Sequence, residues 1–163
     1  MNAMRLMPVL VVLLALVSGC GFQLRGETPL PSSLRTIHID TVNPSGLLTR
    51  EVAAALERQG VVLSPRVEGV AVLKIIADSV VQEPVSISPT ARVQEFALRR
   101  RAEIEVLGAG GEVLLERTAI ELSREFIFDE TQALGAQSEA ALLARELDRD
   151  LTREVLRRIA GIR

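Results

Sequence analysis

The stretch Glu95-Phe96-Ala97-Leu98-Arg99-Arg100-Arg101-Ala102-Glu103-Ile104-Glu105-Val106 decides the fold. Phe96, Leu98, Ala102, Ile104 and Val106 share one parity, while Glu95, Arg99, Arg101, Glu103 and Glu105 share the other. Successive side chains of a strand point to opposite faces, so this is a long strand with a buried face and a charged face. Arg100 breaks the pattern, a charge on the apolar side. Gly108-Ala109-Gly110-Gly111 follows and reads as a hairpin turn. Val113 to Phe128 is then the return strand, with Ile120, Leu122, Phe126 and Phe128 in one parity. Val113 and Leu115 sit in the other, which predicts a bulge or a switch of face.

Upstream of this hairpin, Val70 to Val81 is rich in β-branched residues and reads as another strand. Gln82 to Ala91 contains Pro84, Pro89, Ser86 and Ser88 and reads as a loop. Earlier, Arg35, Ile37 and Ile39 alternate with Thr36, His38 and Asp40, a short strand. Asn43-Pro44-Ser45-Gly46 is a turn. Leu48, Val52, Ala55 and Leu56 recur at helical spacing after it, and Gly60 closes that helix. Downstream, Asp129 to Gln137 reads as a polar loop and Ser138 as a helix N-cap. Leu143, Leu147, Leu151, Val155 and Ile159 line one side of a long helix. Arg157 and Arg158 suit the negative end of its dipole, and Gly161 ends it. The element order is β-α-β-β-β-α. The expected fold is α+β, a four-stranded mixed sheet with two helices packed on one face, because each amphipathic element must find cover.

At 163 residues the chain suits one domain. It lacks Trp and Tyr and has four Phe, so its core must be aliphatic. A net charge of -2 argues against general capture of nucleic acid, which needs a basic footprint. Lys74 is the one lysine among 19 basic residues. Arginine suits bidentate phosphate contacts, although codon bias produces the same preference.

The amino end reads as a processing signal. Arg5 is followed by an unbroken apolar run from Val9 to Val17. Spanning a bilayer core takes about 20 such residues, so the run is a signal-peptide core and not a membrane helix. It ends in Leu16-Val17-Ser18-Gly19-Cys20, small residues before the one cysteine of the chain. A lone cysteine cannot form a disulfide within the chain. The expectation is cleavage before Cys20, with a diacylglyceryl group on its sulfur and an acyl chain on its new amino terminus. That covalent lipid anchors the chain to a membrane, and no other cofactor is expected. Several acyl chains on one residue meet the two-signal requirement for stable anchoring. Gly21, in place of an aspartate, favours the outer membrane. Gly26 to Ser33, with Pro29 and Pro31, reads as an extended tether. The chain thus divides into a removed leader at 1–19, a lipidated tether at 20–33 and one domain at 34–163.

Catalytic chemistry finds little footing. His38 is the one histidine, and no G-x-S-x-G elbow supplies a nucleophile. One histidine and a lipidated cysteine do not make a zinc site. Gly108–Gly111 lacks the following G-K-[ST] of a phosphate loop. The remaining signal is the charged face of the hairpin, with Glu95, Arg99, Arg101, Glu103, Glu105, Arg117, Glu121 and Glu125. Those charges can pair across strands in water. Equally, the face can lie against a polar wall, or Arg92, Arg99, Arg100 and Arg101 can meet phosphate groups.

The junction Cys20-Gly21-Phe22-Gln23-Leu24-Arg25-Gly26 resembles the C-G-[FW]-x-L-R-[GD] opening of the LPS-assembly lipoprotein LptE family. Leu30-Pro31 is similar to that family's proline linker, Leu48 to Leu56 to its first helix, and the element order to its fold. The resemblance implies no enzyme. It implies an outer-membrane lipoprotein that plugs and helps assemble the LptD β-barrel, binds lipopolysaccharide and assists its delivery to the outer leaflet. It further implies basic contacts to the lipid from two loops. Arg92 stands in the first, and Gly135-Ala136-Gln137 in the second carries no base. The lipopolysaccharide contacts expected here are therefore Arg92, Arg99 and Arg101. Two other readings remain at this stage. A periplasm-facing lipoprotein for another ligand would show a concave apolar pocket. A cell-wall hydrolase would need a nucleophile beside His38.

Overall fold

A computed structural model of the chain describes residues 30–87, 93–128 and 133–162. A single 3-10 turn (Ser32–Leu34) leads into strand β1 (Thr36–Thr41), helix α1 (Leu47–Arg58) and a two-residue strand β2 (Val62–Leu63). Strands β3 (Ala71–Ile87), β4 (Val93–Leu107) and β5 (Val113–Ile127) follow, then helix α2 (Ala133–Ala160). The sheet order is β2-β1-β3-β4-β5. β1 runs parallel to β2 and β3, and the other pairs are antiparallel. The sheet is mixed, as expected, with five strands rather than four. The extra strand pairs Val62 and Leu63 with Thr36 and Ile37. Two residues carry no readable period, so β2 exists only through its neighbour. Gly60, at φ +83, turns the chain from α1 into it.

Two boundaries also differ from expectation. The segment read as a loop from Gln82 is strand through Ile87, and Pro84 sits opposite Phe96. The reason is topological. β1 covers β3 only from Ala71 to Ile75, so beyond that point β3 is an edge strand. An edge tolerates a proline because its missing N–H faces no ladder partner. The register shifts on either side of Ser86 absorb the irregularity. Helix α2 begins at Ala133, so Ser138 lies inside it and not at its N-cap. Ala133-Leu134-Gly135-Ala136 carries enough alanine to extend the helix backwards, and Ala136 is buried there. The bulge foreseen in the return strand is present, as register shifts between Ile104, Val106 and Leu107 against β5.

Both helices lie on one face of the sheet. Leu73 and Ile75 of β3, Ala102, Ile104 and Val106 of β4, and Ile120 of β5 meet Leu48, Val52 and Leu56 of α1 and Leu151, Val155 and Ile159 of α2. Burying each such aliphatic side chain is worth about 1.5–3 kcal/mol. Phe96, Phe126 and Phe128 gather at the far end of the hairpin, with ring centroids 5.8 Å and 5.6 Å from Phe96. The opposite sheet face, carrying the charged parity of β4, has no described element packed on it. No described helix is long and apolar enough to cross a membrane.

Candidate functional site

The uncovered sheet face is built from the charged parity of three long strands. Strand pairing places Arg99 opposite Val81 and Ser123, Arg101 opposite Ser79 and Glu121, and Glu103 opposite Ala77 and Ala119. Most charges then find diagonal partners. Arg99 reaches Glu83 through Nε at 3.1 Å and Glu121 through Nη1 at 3.1 Å. Arg117 donates two bonds to Glu103, at 2.7 Å and 2.8 Å, a forked pairing. Lys74 donates to Glu105 at 2.8 Å. The hydrogen bond from Arg117 holds the Glu103 carboxyl below its ordinary range. The same bond raises the Arg117 guanidinium, and Glu121 with Glu83 raises that of Arg99.

Arg101 differs from its neighbours. Among the described residues, no carboxylate lies within ion-pair distance of it, and its side chain is exposed. Of the three sequence-predicted phosphate contacts, Arg99 is therefore held by two glutamates, Arg101 makes no ion pair with the described residues and acts on Glu103 only through its charge, and Arg92 lies outside the described residues. The predicted lipid-attachment residue Cys20 also lies outside them.

Arg100 points the other way, toward the helices, and is buried. Its Nε donates to Asp148 of α2 at 2.7 Å, and Nη1 donates to the Ser79 carbonyl at 2.9 Å and to Asp78 of β3. Burial opposes its charge, but the hydrogen bonds and charges of Asp78 and Asp148 outweigh that and raise its pKa. The break in the strand pattern is thus an ionic knot joining β3, β4 and α2. Sequence reading singled out Arg100 but missed Asp78 and Asp148, which sit 22 and 48 residues away. Arg124 repeats the link nearby, donating to Asp150 at 3.0 Å.

A cleft of about 290 Å³ opens over this knot, with Leu47, Val80, Ala144 and Leu147 as walls and Asp78, Arg100 and Asp148 as floor. Its charged floor is unlike the concave apolar pocket that the ligand-carrier reading called for. His38 holds its ring by donating from Nδ1 to the Ser64 carbonyl at 3.0 Å. That bond fixes the ring, and among the described residues no Ser, Thr or Cys side chain is hydrogen-bonded to the histidine.

The comparisons with known proteins agree among themselves. The family model described as LptE, lipopolysaccharide assembly, matches residues 34–159. An LPS-assembly lipoprotein LptE from Yersinia enterocolitica is 29% identical over 158 residues, covering 95% of this chain and 75% of that protein. Its counterpart from Photorhabdus laumondii is 29% identical over 160 residues, covering 97% and 87%. Among solved structures, rare lipoprotein B from Shewanella oneidensis superposes with a TM-score of 0.68 at 27% identity, covering 77% of this chain and 94% of that one. Lipoprotein B from Nitrosomonas europaea gives 0.71 at 25% identity, covering 86% and 91%.

Proposed function

Since the chain belongs to the LptE family of lipopolysaccharide assembly, a role without catalysis, we propose that it works as a lipid-anchored plug in the outer membrane. In this reading Cys20 carries the lipid, the domain occupies the lumen of an LptD-type β-barrel and helps it fold, and the plug contacts lipopolysaccharide on its way to the outer leaflet. One observation carries the plug reading. No described element covers one full sheet face, and most of the charges on that face are paired with one another among a few small or aliphatic side chains such as Val81 and Ala119. Such a face is stable against water or a polar wall, and the lumen of a large barrel is polar and wet. A lipid tether holds the domain beside the barrel and raises its effective concentration.

The test is isolation from native membranes in mild detergent, at native expression. The expected product is a complex with a large β-barrel protein, in which residue 20 carries diacylglyceryl and acyl groups by mass spectrometry. A free monomer overturns the plug reading. A bare thiol at residue 20 overturns the anchor.

A further inference from the structure

At the turn end of the hairpin, β5 and the last turn of α2 leave a groove of about 690 Å³. Leu114, Leu115 and Ile162 form its apolar floor, and Glu154, Arg157 and Arg158 its rim. The rim charges engage one another, since Glu154 accepts from Arg157 at 2.7 Å and Arg158 at 2.9 Å. The groove therefore offers apolar surface in a frame with one net positive charge. Leu114 and Leu115 are only partly covered, and the adjacent Val113 is 55% exposed.

We infer that this groove is the seat of the chain's own segment Gly21–Pro29, with Phe22 and Leu24 as the inserted side chains. Two residues apart, Phe22 and Leu24 share one side of an extended strand. Together they are the large apolar groups between Cys20 and Leu30. The entry point lies at the same end of the domain. Ile37 of β1 pairs with Ala71, Val72 with Leu107, and Leu107 with Val113. The start of β1 is thus three strand spacings from the start of β5, about 15 Å. Leu30 packs on the same core cluster as Leu114 and Leu115. The eight steps from Leu30 back to Phe22 span up to about 27 Å, which exceeds the gap.

Seating this segment fixes an orientation, which rests on the lipid-anchor reading of Cys20. With Phe22 docked, one residue, Gly21, separates the lipid-bearing Cys20 from the docked side chain. The end bearing Gly108–Gly111 and the C-terminus of α2 then rests at the bilayer surface. The opposite end, where β3 passes to β4 near Arg92, stands about 50 Å away, the length of the fifteen residues of β4.

A thiol reporter tests the docking without the lipid. In the chain from residue 20 with Cys20→Ser, Leu114→Cys provides a single thiol in the groove floor. Maleimide labelling of that thiol is expected to speed up at least tenfold when Phe22→Ser and Leu24→Ser are added. A Val80→Cys reporter, in the cleft over Arg100, keeps its rate. Equal labelling at Leu114→Cys with and without the serines overturns the inference. So does equal acceleration at both reporters, which reports a loosened domain rather than an emptied groove. None of these outcomes depends on lipidation, so the anchor and the docking fail separately.

Discussion

Arg99 and Arg101 are two residues apart, point the same way and have different work. Arg99 sits between Glu83 and Glu121, whereas Arg101 has no ion pair among the described residues. Strand pairing explains this, because the row that holds Arg101 offers Ser79 on one side and a Glu121 already engaged by Arg99 on the other. At exposed pairs solvent screening leaves little net gain, so Arg99 is restrained more than it is stabilising. The Arg117–Glu103 pair makes a pH prediction. Glu103 is held below its ordinary value of 4.5 in the folded protein. A depressed carboxyl contributes stability that is complete above its unfolded pKa and is lost as pH falls through the folded one. Arg117→Gln is therefore expected to lower Tm at pH 7 and to have little effect near pH 2. Tm measured across that range checks it, and a Tm difference that is constant with pH rejects the assignment.

At the scale of elements, helix α2 owes its position to apolar packing along Leu147, Leu151, Val155 and Ile159, and to the charges that tie it to the hairpin. Arg100 has exposure of 7%, and its two carboxylate partners come from β3 and α2. Removing one member of a buried ionic group leaves the others uncompensated, which costs about 3–5 kcal/mol. Arg100→Met should lose about that much in urea unfolding. Adding Asp78→Asn and Asp148→Asn should restore at least half of it, because the stranded charges are then gone. A single variant as stable as wild type would show that the knot carries no net energy. Little of this was legible in the sequence. The parity of β4 marks Arg100 as misplaced, but nothing in one strand says which distant carboxylates will meet it. The Pro84 stretch fails for a related reason. Local composition speaks of a loop, and only the shortness of β1 makes the site an edge where proline fits.

Across the whole molecule, the two sheet faces differ chemically: one is covered by helices, and the other, with no described element on it, carries the charged parity of β4 and its partners. The face distribution bears on the proposed lipopolysaccharide contact. Phosphate recognition needs a cation whose donors are available, and among the described residues those of Arg99 are engaged by two glutamates while those of Arg101 meet no carboxylate. A hydrogen bond to a charged group is worth about 1.5–3 kcal/mol, so Arg101→Gln is expected to weaken binding of purified lipopolysaccharide by about tenfold or more. Arg99→Gln should change it less, and calorimetric titration of both variants decides. An equal or larger loss at Arg99 would place the contact elsewhere. The sequence by itself determined the α+β class, both helices, the long hairpin with its bulge and the family resemblance, because amphipathic period and short motifs are local properties. The tertiary structure alone decided the fifth strand, the edge character of β3, the partners of Arg100 and which arginines of the described residues form ion pairs. Those depend on which strands become neighbours and in what register, a choice made by packing over tens of residues and written in no single segment.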